Sequence, residues 1–172
     1  MTSTTDLGWS LGVLFRDWQR ATSDAVGSLP HGPRGFQILE SLEQADGVRT
    51  GALAAHLGID RTVLTYVIDD LAAAGLLERS VDPTDRRAQR IALTAAGRIT
   101  LGGLRGRVAA GERELLAGLD PAQREVLTTL LGRAAASRHA DAGEHDACRI
   151  VGELLDADAI ASSSVATASG AA

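Results

Sequence analysis

The stretch that most constrains the fold is residues 76–94, which read LLERSVDPTDRRAQRIALT. Two short runs typical of β-strands, 76–79 and 90–93, flank a polar middle, and this arrangement predicts a β-hairpin with a charged tip. Asp82 and Pro83 favour the turn, because proline fixes φ and the aspartate side chain can accept a hydrogen bond from the backbone two residues on. We therefore expect the hairpin to turn just after residue 82.

The predicted hairpin tip is basic although the chain is acidic. Residues 79–90 hold four arginines, including Arg86 and Arg87, against two aspartates, while the whole chain has a net charge of −5. A chain of this charge is poorly suited to coating nucleic acid without regard to sequence, since such binding comes mostly from phosphate neutralisation. The pattern instead predicts contact with an anionic partner at one place.

Composition favours a helical protein for the rest of the chain. Hydrophobic residues make up 45% of the 172 residues and aromatic residues only 3%, so the core must be filled by Leu, Val, Ile and Ala. The single cysteine, Cys148, excludes an internal disulfide, and we find neither a leader segment nor an apolar run of about 18 residues. We expect a soluble, cytoplasmic protein that does not bind membranes.

A helix-turn-helix unit is predicted directly before the hairpin. Pro33 suits the first position of one helix, and Thr50 is placed to cap a short helix after it. Gly58 supplies a left-handed residue at the end of that short helix, and Asp60 begins the next helix almost at once. Two helices joined by so tight a turn form a helix-turn-helix.

The helix that begins at Asp60 has one apolar and one polar face. Its predicted buried stripe consists of Leu64, Val67, Ile68 and Leu71, with Val63 at the edge. Its opposite face carries Arg61, Thr62, Thr65 and Tyr66. A polar face is often only solvated, but these hydrogen-bonding side chains also suit base edges and phosphates. The neighbouring Asp69 and Asp70 are interpreted as solvated.

Long helices are predicted on both sides of this unit. Apolar residues recur at alternating spacings of four and three from Leu7 to Ala25, which forms a seam on a helix of more than about 30 Å. Similar seams follow in residues 94–116, a stretch with five glycines, and from Pro121 onward. The first helix is either an ordinary core helix or one shared with a second subunit. The fold class expected is mainly α with a small β-hairpin.

The run GLLERSVDPTDRRAQRIALTAAG at 75–97 resembles the wing signature of the MarR family of bacterial transcription regulators, in its D-P-x-D-R-R core and the L-T-x-x-G that follows. The similarity extends more loosely over 7–137. It implies a homodimeric winged helix-turn-helix protein that binds a pseudo-palindromic operator and is often released by a small ligand. The expected parts are a DNA-binding domain at 33–94, a helical dimerisation region at 6–30 and 95–157, and a disordered tail at 158–172.

This resemblance implies roles for the polar residues. Arg61, Thr62, Thr65 and Tyr66 would meet double-stranded DNA in the major groove, although the family often has Arg where this chain has Tyr66. Arg86 or Arg87 would reach the adjacent minor groove. In the alternative interpretation, the hairpin tip folds on itself through ion pairs between its aspartates and arginines.

An effector pocket is the other feature that the resemblance implies. It would lie between the first helix, the second helix and the helix after the wing. The residues expected to gather there are Phe15, Trp18, His31, Phe36 and Arg105. Each of them is equally explained as an ordinary core or surface residue, so the small-molecule effector remains only a candidate partner.

Other chemistries find little support in the sequence. His139, Glu144, His145 and Cys148 are of the ligand types that zinc uses, but their spacing matches no tight motif, so we expect a solvated loop and no metal. Cys148 is interpreted as structural and not as a redox sensor.

No cofactor and no enzymatic activity are expected, since the chain lacks a catalytic triad spacing and a glycine-rich phosphate loop. The function predicted is repression of a nearby operon. The alternative is a winged-helix sensor or protein-interaction module in which DNA binding is weak or secondary.

Overall fold

A computed structural model describes residues 6–43 and 47–139 of the chain. The described residues form six α-helices and three short β-strands. In chain order these are α1 (Leu7–Val26), α2 (Gly32–Leu42), β1 (Val48–Arg49), α3 (Thr50–Leu57), α4 (Arg61–Ala73), β2 (Leu77–Val81), β3 (Gln89–Leu93), α5 (Ala95–Leu115) and α6 (Pro121–His139). The part of the expected dimerisation region after residue 139 and the expected tail at 158–172 lie outside the described residues.

Helix α1 packs along α5. It begins at Asp6, whose carboxylate oxygen accepts a hydrogen bond of 2.8 Å from the backbone N–H of Gly8. The two helices lie close together at Gly111, where a Cβ atom would lie 3.2 Å from the Cβ of Ala21. The missing side chain at Gly111 therefore lets the two helices come together.

The apolar seam predicted on α1 is only partly buried. Leu7 and Leu11 at its start are 71% and 44% exposed. The buried positions of α1 are instead Gln19, Thr22 and Val26. Much of the predicted seam is thus left uncovered within one chain.

Helices α3 and α4 form the predicted helix-turn-helix. Gly58 follows α3 with a φ of 63°, the left-handed conformation expected there, and Asp60 caps α4. The expectation that Thr50 caps α3 is wrong, because Thr50 is the first helical residue and Arg49 occupies the cap position. Arg49 makes no capping hydrogen bond, because a guanidinium group has no acceptor for a backbone N–H; its side chain donates instead to Asp82, at 2.8 Å.

The predicted hairpin is present as β2 and β3, and β1 extends it to a three-stranded antiparallel sheet of order β1-β3-β2. In the register of the hairpin, Leu77 lies opposite Leu93, and on the other side of β3 Val48 lies opposite Ile91. Strand β1 was not predicted. With two residues it is too short to show any alternation of polar and apolar positions.

Helix α5 is continuous despite its glycines. Gly97 lies so close to the wing that a Cβ atom would be 2.1 Å from the carbonyl oxygen of Leu76. At Gly102, Gly103 and Gly106 an added Cβ would meet no atom within 4 Å in the described part of the chain. Close approach of neighbouring elements therefore explains Gly97 and Gly111, but not the other three.

The core lies between α2, α3, α4, the start of α5 and the sheet. Its fully buried side chains are aliphatic, as the composition predicts; the largest include Ile38, Leu39, Leu42, Leu53, Leu57, Leu64, Ile68, Leu71, Ile91, Leu101 and Leu104. Along α6, in contrast, every residue is exposed or only half-buried up to residue 137. The predicted fold class, mainly α with a β-hairpin wing and a helix-turn-helix, is confirmed.

Candidate nucleic-acid interface

Helix α4 is fixed at its start by Asp60. One carboxylate oxygen of Asp60 accepts hydrogen bonds from the backbone N–H groups of Thr62 at 2.8 Å and Val63 at 3.2 Å. The N–H groups of Val63 and Thr62 hold the pKa of Asp60 below its usual value. The predicted stripe of Leu64, Val67, Ile68 and Leu71 is buried. The opposite face of α4 must therefore point outward.

The outward face of α4 is more apolar than predicted. Arg61, Thr62, Thr65 and Tyr66 are all exposed, and Tyr66 is exposed by 66%. Val63, which was predicted at the edge of the buried stripe, is also exposed, by 52%. The hydroxyl of Thr65 donates to the carbonyl oxygen of Arg61 at 2.8 Å, so its proton is already used within the helix.

The turn of the wing is organised around the buried carboxylate of Asp82, which is only 3% exposed. One oxygen of this carboxylate accepts hydrogen bonds from the backbone N–H and the hydroxyl of Thr84, at 2.8 and 2.6 Å. The turn predicted at Asp82 is therefore formed, with the expected bond to the backbone two residues on.

The side chain of Arg49 is the partner of Asp82, and the sequence pattern did not predict this contact. Its Nε donates to the second carboxylate oxygen of Asp82 at 2.8 Å, and one of its terminal nitrogens donates to the hydroxyl of Thr84 at 2.9 Å. The guanidinium of Arg49, together with Thr84, holds the pKa of Asp82 well below its usual range. This ion pair ties the wing tip to the start of α3.

The two arginines at the wing tip remain exposed. Among the described residues, no carboxylate forms an ion pair with Arg86 or Arg87. Asp85 accepts a hydrogen bond from the backbone N–H of Arg87 at 3.0 Å. The alternative in which the tip neutralises itself holds only in part for the described residues: Asp82 pairs with Arg49 at 2.8 Å and lies 3.8 Å from Arg90, while Arg86 and Arg87 have no carboxylate partner.

The two aspartates late in α4 are paired, although we expected them to be solvated. Asp69 forms an ion pair of 2.5 Å with Arg79 of strand β2. Asp70 lies 2.7 Å from Nε2 of His31, at the junction of α1 and α2. The C-terminal half of α4 is thus held from two other parts of the fold.

The five residues expected to form an effector pocket do not gather at one place. Phe15 and Trp18 stack with their ring centroids 6.1 Å apart, and they line an apolar cavity of about 340 Å³ between α1, α5 and α6. Phe36 packs against the hydrophobic core, and His31 contacts α4 as described above.

Arg105 is held away from that cavity by two carboxylates, one in α2 and one directly after it. It donates to Glu40 at 2.5 and 2.7 Å and to Glu43 at 2.6 Å. These bonds raise the pKa of Arg105 above its usual value. The pairing fixes α5 against α2, and sequence reasoning could not foresee it because the partners lie more than 60 positions apart.

Metal and membrane sites find no support in the described residues. Residues 6–43 and 47–139 contain no cluster of three or more His, Cys, Asp or Glu able to hold a metal ion. The side chain of His139, together with Glu144, His145 and Cys148, lies outside the described residues. No helix in the described ranges is both long enough and apolar enough to cross a bilayer.

Comparison with known proteins agrees with this geometry. A model of the MarR family matches residues 33–88. A protein of Thauera aromatica that carries the name of a transcriptional regulatory protein for the hcr operon is 30% identical over 119 residues, which are 69% of this chain and 70% of that protein.

Two solved structures show the same fold. A mutant MarR from E. coli superposes with a TM-score of 0.68 at 23% identity, over 78% of this chain and 99% of that one. A MarR family protein of Mycobacterium tuberculosis in complex with DNA gives a TM-score of 0.64 at 24% identity, over 76% and 98% of the two chains.

Proposed function

This chain belongs to the MarR family of winged-helix transcriptional regulators, and on that premise we propose that it acts as a homodimer that binds an inverted-repeat operator in double-stranded DNA and represses a nearby operon. One observation carries the proposal. Arg61, at the start of the recognition helix α4, and Arg87, in the wing, border a single polar cleft, and neither is neutralised by a carboxylate of the described residues.

In the proposed complex, α4 lies in the major groove. Thr62 and Tyr66 offer hydrogen-bonding groups to base edges, and the exposed methyl groups of Val63 suit the methyl group of thymine. The wing brings Arg86 to the adjacent minor groove, where the negative potential is strongest when the groove is narrow. The related protein of Mycobacterium tuberculosis has been solved in complex with DNA, which supports DNA binding by this fold.

A second copy of the chain is the proposed partner of the long helices. The apolar side chains left exposed on α1 and α6 include Leu7, Leu11, Val126, Leu130 and Leu131. Leu11 and Leu131 line one cavity, so α1 and α6 lie side by side there, and the exposed apolar side chains of the two helices suit a self-complementary contact. A two-fold dimer would place two copies of α4 about 34 Å apart, which is one turn of DNA.

Sedimentation equilibrium tests the dimer. We expect the mass of two chains at micromolar concentration, and a shift toward a single chain when Leu130→Glu places a charge on the exposed face of α6. Thr129→Glu is the matched control, because Thr129 lies on the same helix and is a polar exposed residue. A wild-type protein that sediments as one chain throughout would contradict the proposal.

We also propose that the cavity beside Phe15 and Trp18 receives a small aromatic effector that releases the operator. Its wall is apolar except for Glu112 and Thr128, and Nε1 of Trp18 donates to Glu112 at 3.1 Å. In a Trp9→Phe variant, Trp18 is the single tryptophan. Effector binding should then change its fluorescence in parallel with the loss of operator binding.

DNA binding is tested by a mobility-shift assay on the DNA upstream of the protein's own gene, at two salt concentrations. Sequence-specific retardation that weakens with salt supports the proposal. Equal retardation of an unrelated duplex, or none, would favour a winged-helix protein that serves mainly in sensing or protein interaction.

A further inference from the structure

A polar cleft of about 460 Å³ lies between the recognition helix and the wing. Its floor is the first turn of α3, at residues 50–52, and its walls are Arg61 on one side and residues 87–89 on the other, with Arg49 at the base. The cleft is therefore formed by three separate elements of the winged helix-turn-helix.

The cleft carries an uncompensated positive charge. Three of its lining residues are arginines and none is acidic. Arg49 is neutralised by Asp82, but no carboxylate in the described part of the chain forms an ion pair with Arg61 or Arg87. Two free guanidinium groups thus face one cleft in a chain whose net charge is −5.

Arg61 is directed into this cleft. A Cβ atom added at Gly51 would lie 3.2 Å from a terminal nitrogen of Arg61. The guanidinium therefore folds back over the first turn of α3, away from the outward face that carries Thr62 and Tyr66. In this position it is poorly placed to reach the floor of a major groove.

We propose that the cleft binds one backbone phosphate of DNA in each half-site, held by Arg61 and Arg87, so that Arg61 anchors the backbone and does not read a base. The proposal rests on the DNA-binding function proposed above. A major groove and the adjacent minor groove are separated by a single sugar–phosphate strand. If α4 occupies one groove and the wing the other, that strand runs between them, over this cleft.

The chemistry of the cleft fits a phosphate. Guanidinium groups present paired N–H donors that match two phosphate oxygens, and two arginines that line one cleft can hold a single phosphate between them. Phosphate contacts set the register of a protein on DNA but carry no sequence information directly. Loss of Arg61 should therefore weaken binding to all DNA sequences by the same factor.

The experiment measures fluorescence anisotropy of an operator duplex and a scrambled duplex across a salt series, for wild type and Arg61→Ala. Each lost phosphate contact reduces the salt slope by about 0.9, hence by about 1.8 for a dimer, which corresponds to roughly 60-fold weaker binding at about 0.1 M salt. The ratio of the two affinities should stay unchanged. Arg16→Ala, an exposed residue of α1 outside the cleft, controls for net charge.

Operators with one neutral methylphosphonate give the second measurement. At one position in each half-site, the neutral linkage should weaken DNA binding by wild type but not by Arg61→Ala. Gly51→Ala should weaken both duplexes equally, because it displaces the guanidinium without changing the charge. These three results together support the phosphate site.

Several results would overturn it. If Arg61→Ala lowers the ratio of operator affinity to scrambled-duplex affinity and leaves the salt slope unchanged, Arg61 reads a base. If Arg61→Ala binds both duplexes with the affinity of wild type, Arg61 does not contribute to DNA binding. The proposed function would not be affected by that result. If inorganic phosphate binding requires Arg61 but Arg61→Ala loses no DNA affinity, the cleft is a site for a free anion instead. A wild-type protein that binds neither duplex would refute the proposed function as well.

Discussion

Gly97→Ala should destabilise the protein, because Gly97 lies where α5 meets the wing. An added Cβ would be 2.1 Å from the carbonyl oxygen of Leu76 and 3.1 Å from its carbonyl carbon, and both are backbone atoms that cannot turn aside. A normal van der Waals contact begins near 3.4 Å. The start of α5 and the strand would therefore have to separate by about 1.3 Å, the difference between those two distances.

That separation would also strain three hydrogen bonds. Gly97 N–H donates to the hydroxyl oxygen of Thr94 at 2.9 Å, and the Thr94 hydroxyl lies 2.7 Å from the carbonyl oxygen of Gly75. The backbone N–H of Thr94 donates to the carbonyl oxygen of Leu76 at 3.1 Å. Overpacking costs about 1–3 kcal/mol, and loss of a helix cap costs about 1 kcal/mol. We expect the free energy of unfolding to fall by roughly 2–4 kcal/mol.

Gly103→Ala is the matched control in the same helix. An added Cβ there meets no described atom within 4 Å, so the higher helix propensity of alanine should raise the free energy of unfolding by up to about 1 kcal/mol. The two variants differ from wild type by the same methyl group and should shift stability in opposite directions.

The assay is urea denaturation followed by circular dichroism. All proteins are compared at one protomer concentration, since the stability of an oligomer depends on concentration. If Gly97→Ala unfolds at the same urea concentration as wild type, the close contact between α5 and the wing does not limit the fold and the reasoning is refuted.

Three further substitutions test the charged groups. Arg86→Ala should weaken operator binding and lower the salt slope by about 1 for each protomer of the dimer; an unchanged affinity across a salt titration would contradict its role. Asp82→Asn should destabilise the wing at neutral pH. Folding lowers the pKa of Asp82 from its usual 3.8. Wild type should therefore be more stable than this variant above that pH, and the difference in stability should disappear as the pH falls below it. Urea denaturation at several pH values measures this difference. Arg105→Leu leaves Glu40 and Glu43 unpaired as neighbouring negative charges, so its destabilisation should be larger at neutral pH than in acid, and equal losses at both would refute this.

Local patterns in the sequence were sufficient for the main elements of the wing and the helix-turn-helix. The two β-type runs around a polar turn at 76–94 predicted the hairpin, and the apolar spacing of Leu64, Val67, Ile68 and Leu71 predicted the buried side of α4. These features depend on neighbouring residues, whose periodicity is visible in the sequence itself.

Contacts between distant residues could not be predicted in the same way. Arg49 meets Asp82 across 33 positions, and β1 has only two residues. The expected effector residues do not gather for the same reason. His31 and Arg105 contact carboxylates that are distant in the sequence. Arg61 was correctly placed on the exposed side of α4, but the direction of its side chain depends on the space left by Gly51.

Helix α4 is secured at three points before any partner arrives. Asp60 fixes its start, Arg79 of β2 holds Asp69, and His31 holds Asp70 from the junction of α1 and α2. The Asp60 bonds lie within the cap of α4 itself, whereas the other two contacts link the helix to β2 and to the junction of α1 and α2, so a shift of α4 against either element would break one of them. The backbone that carries the outward side chains is therefore ordered before binding, and the entropy lost in forming a complex is mainly that of the side chains themselves.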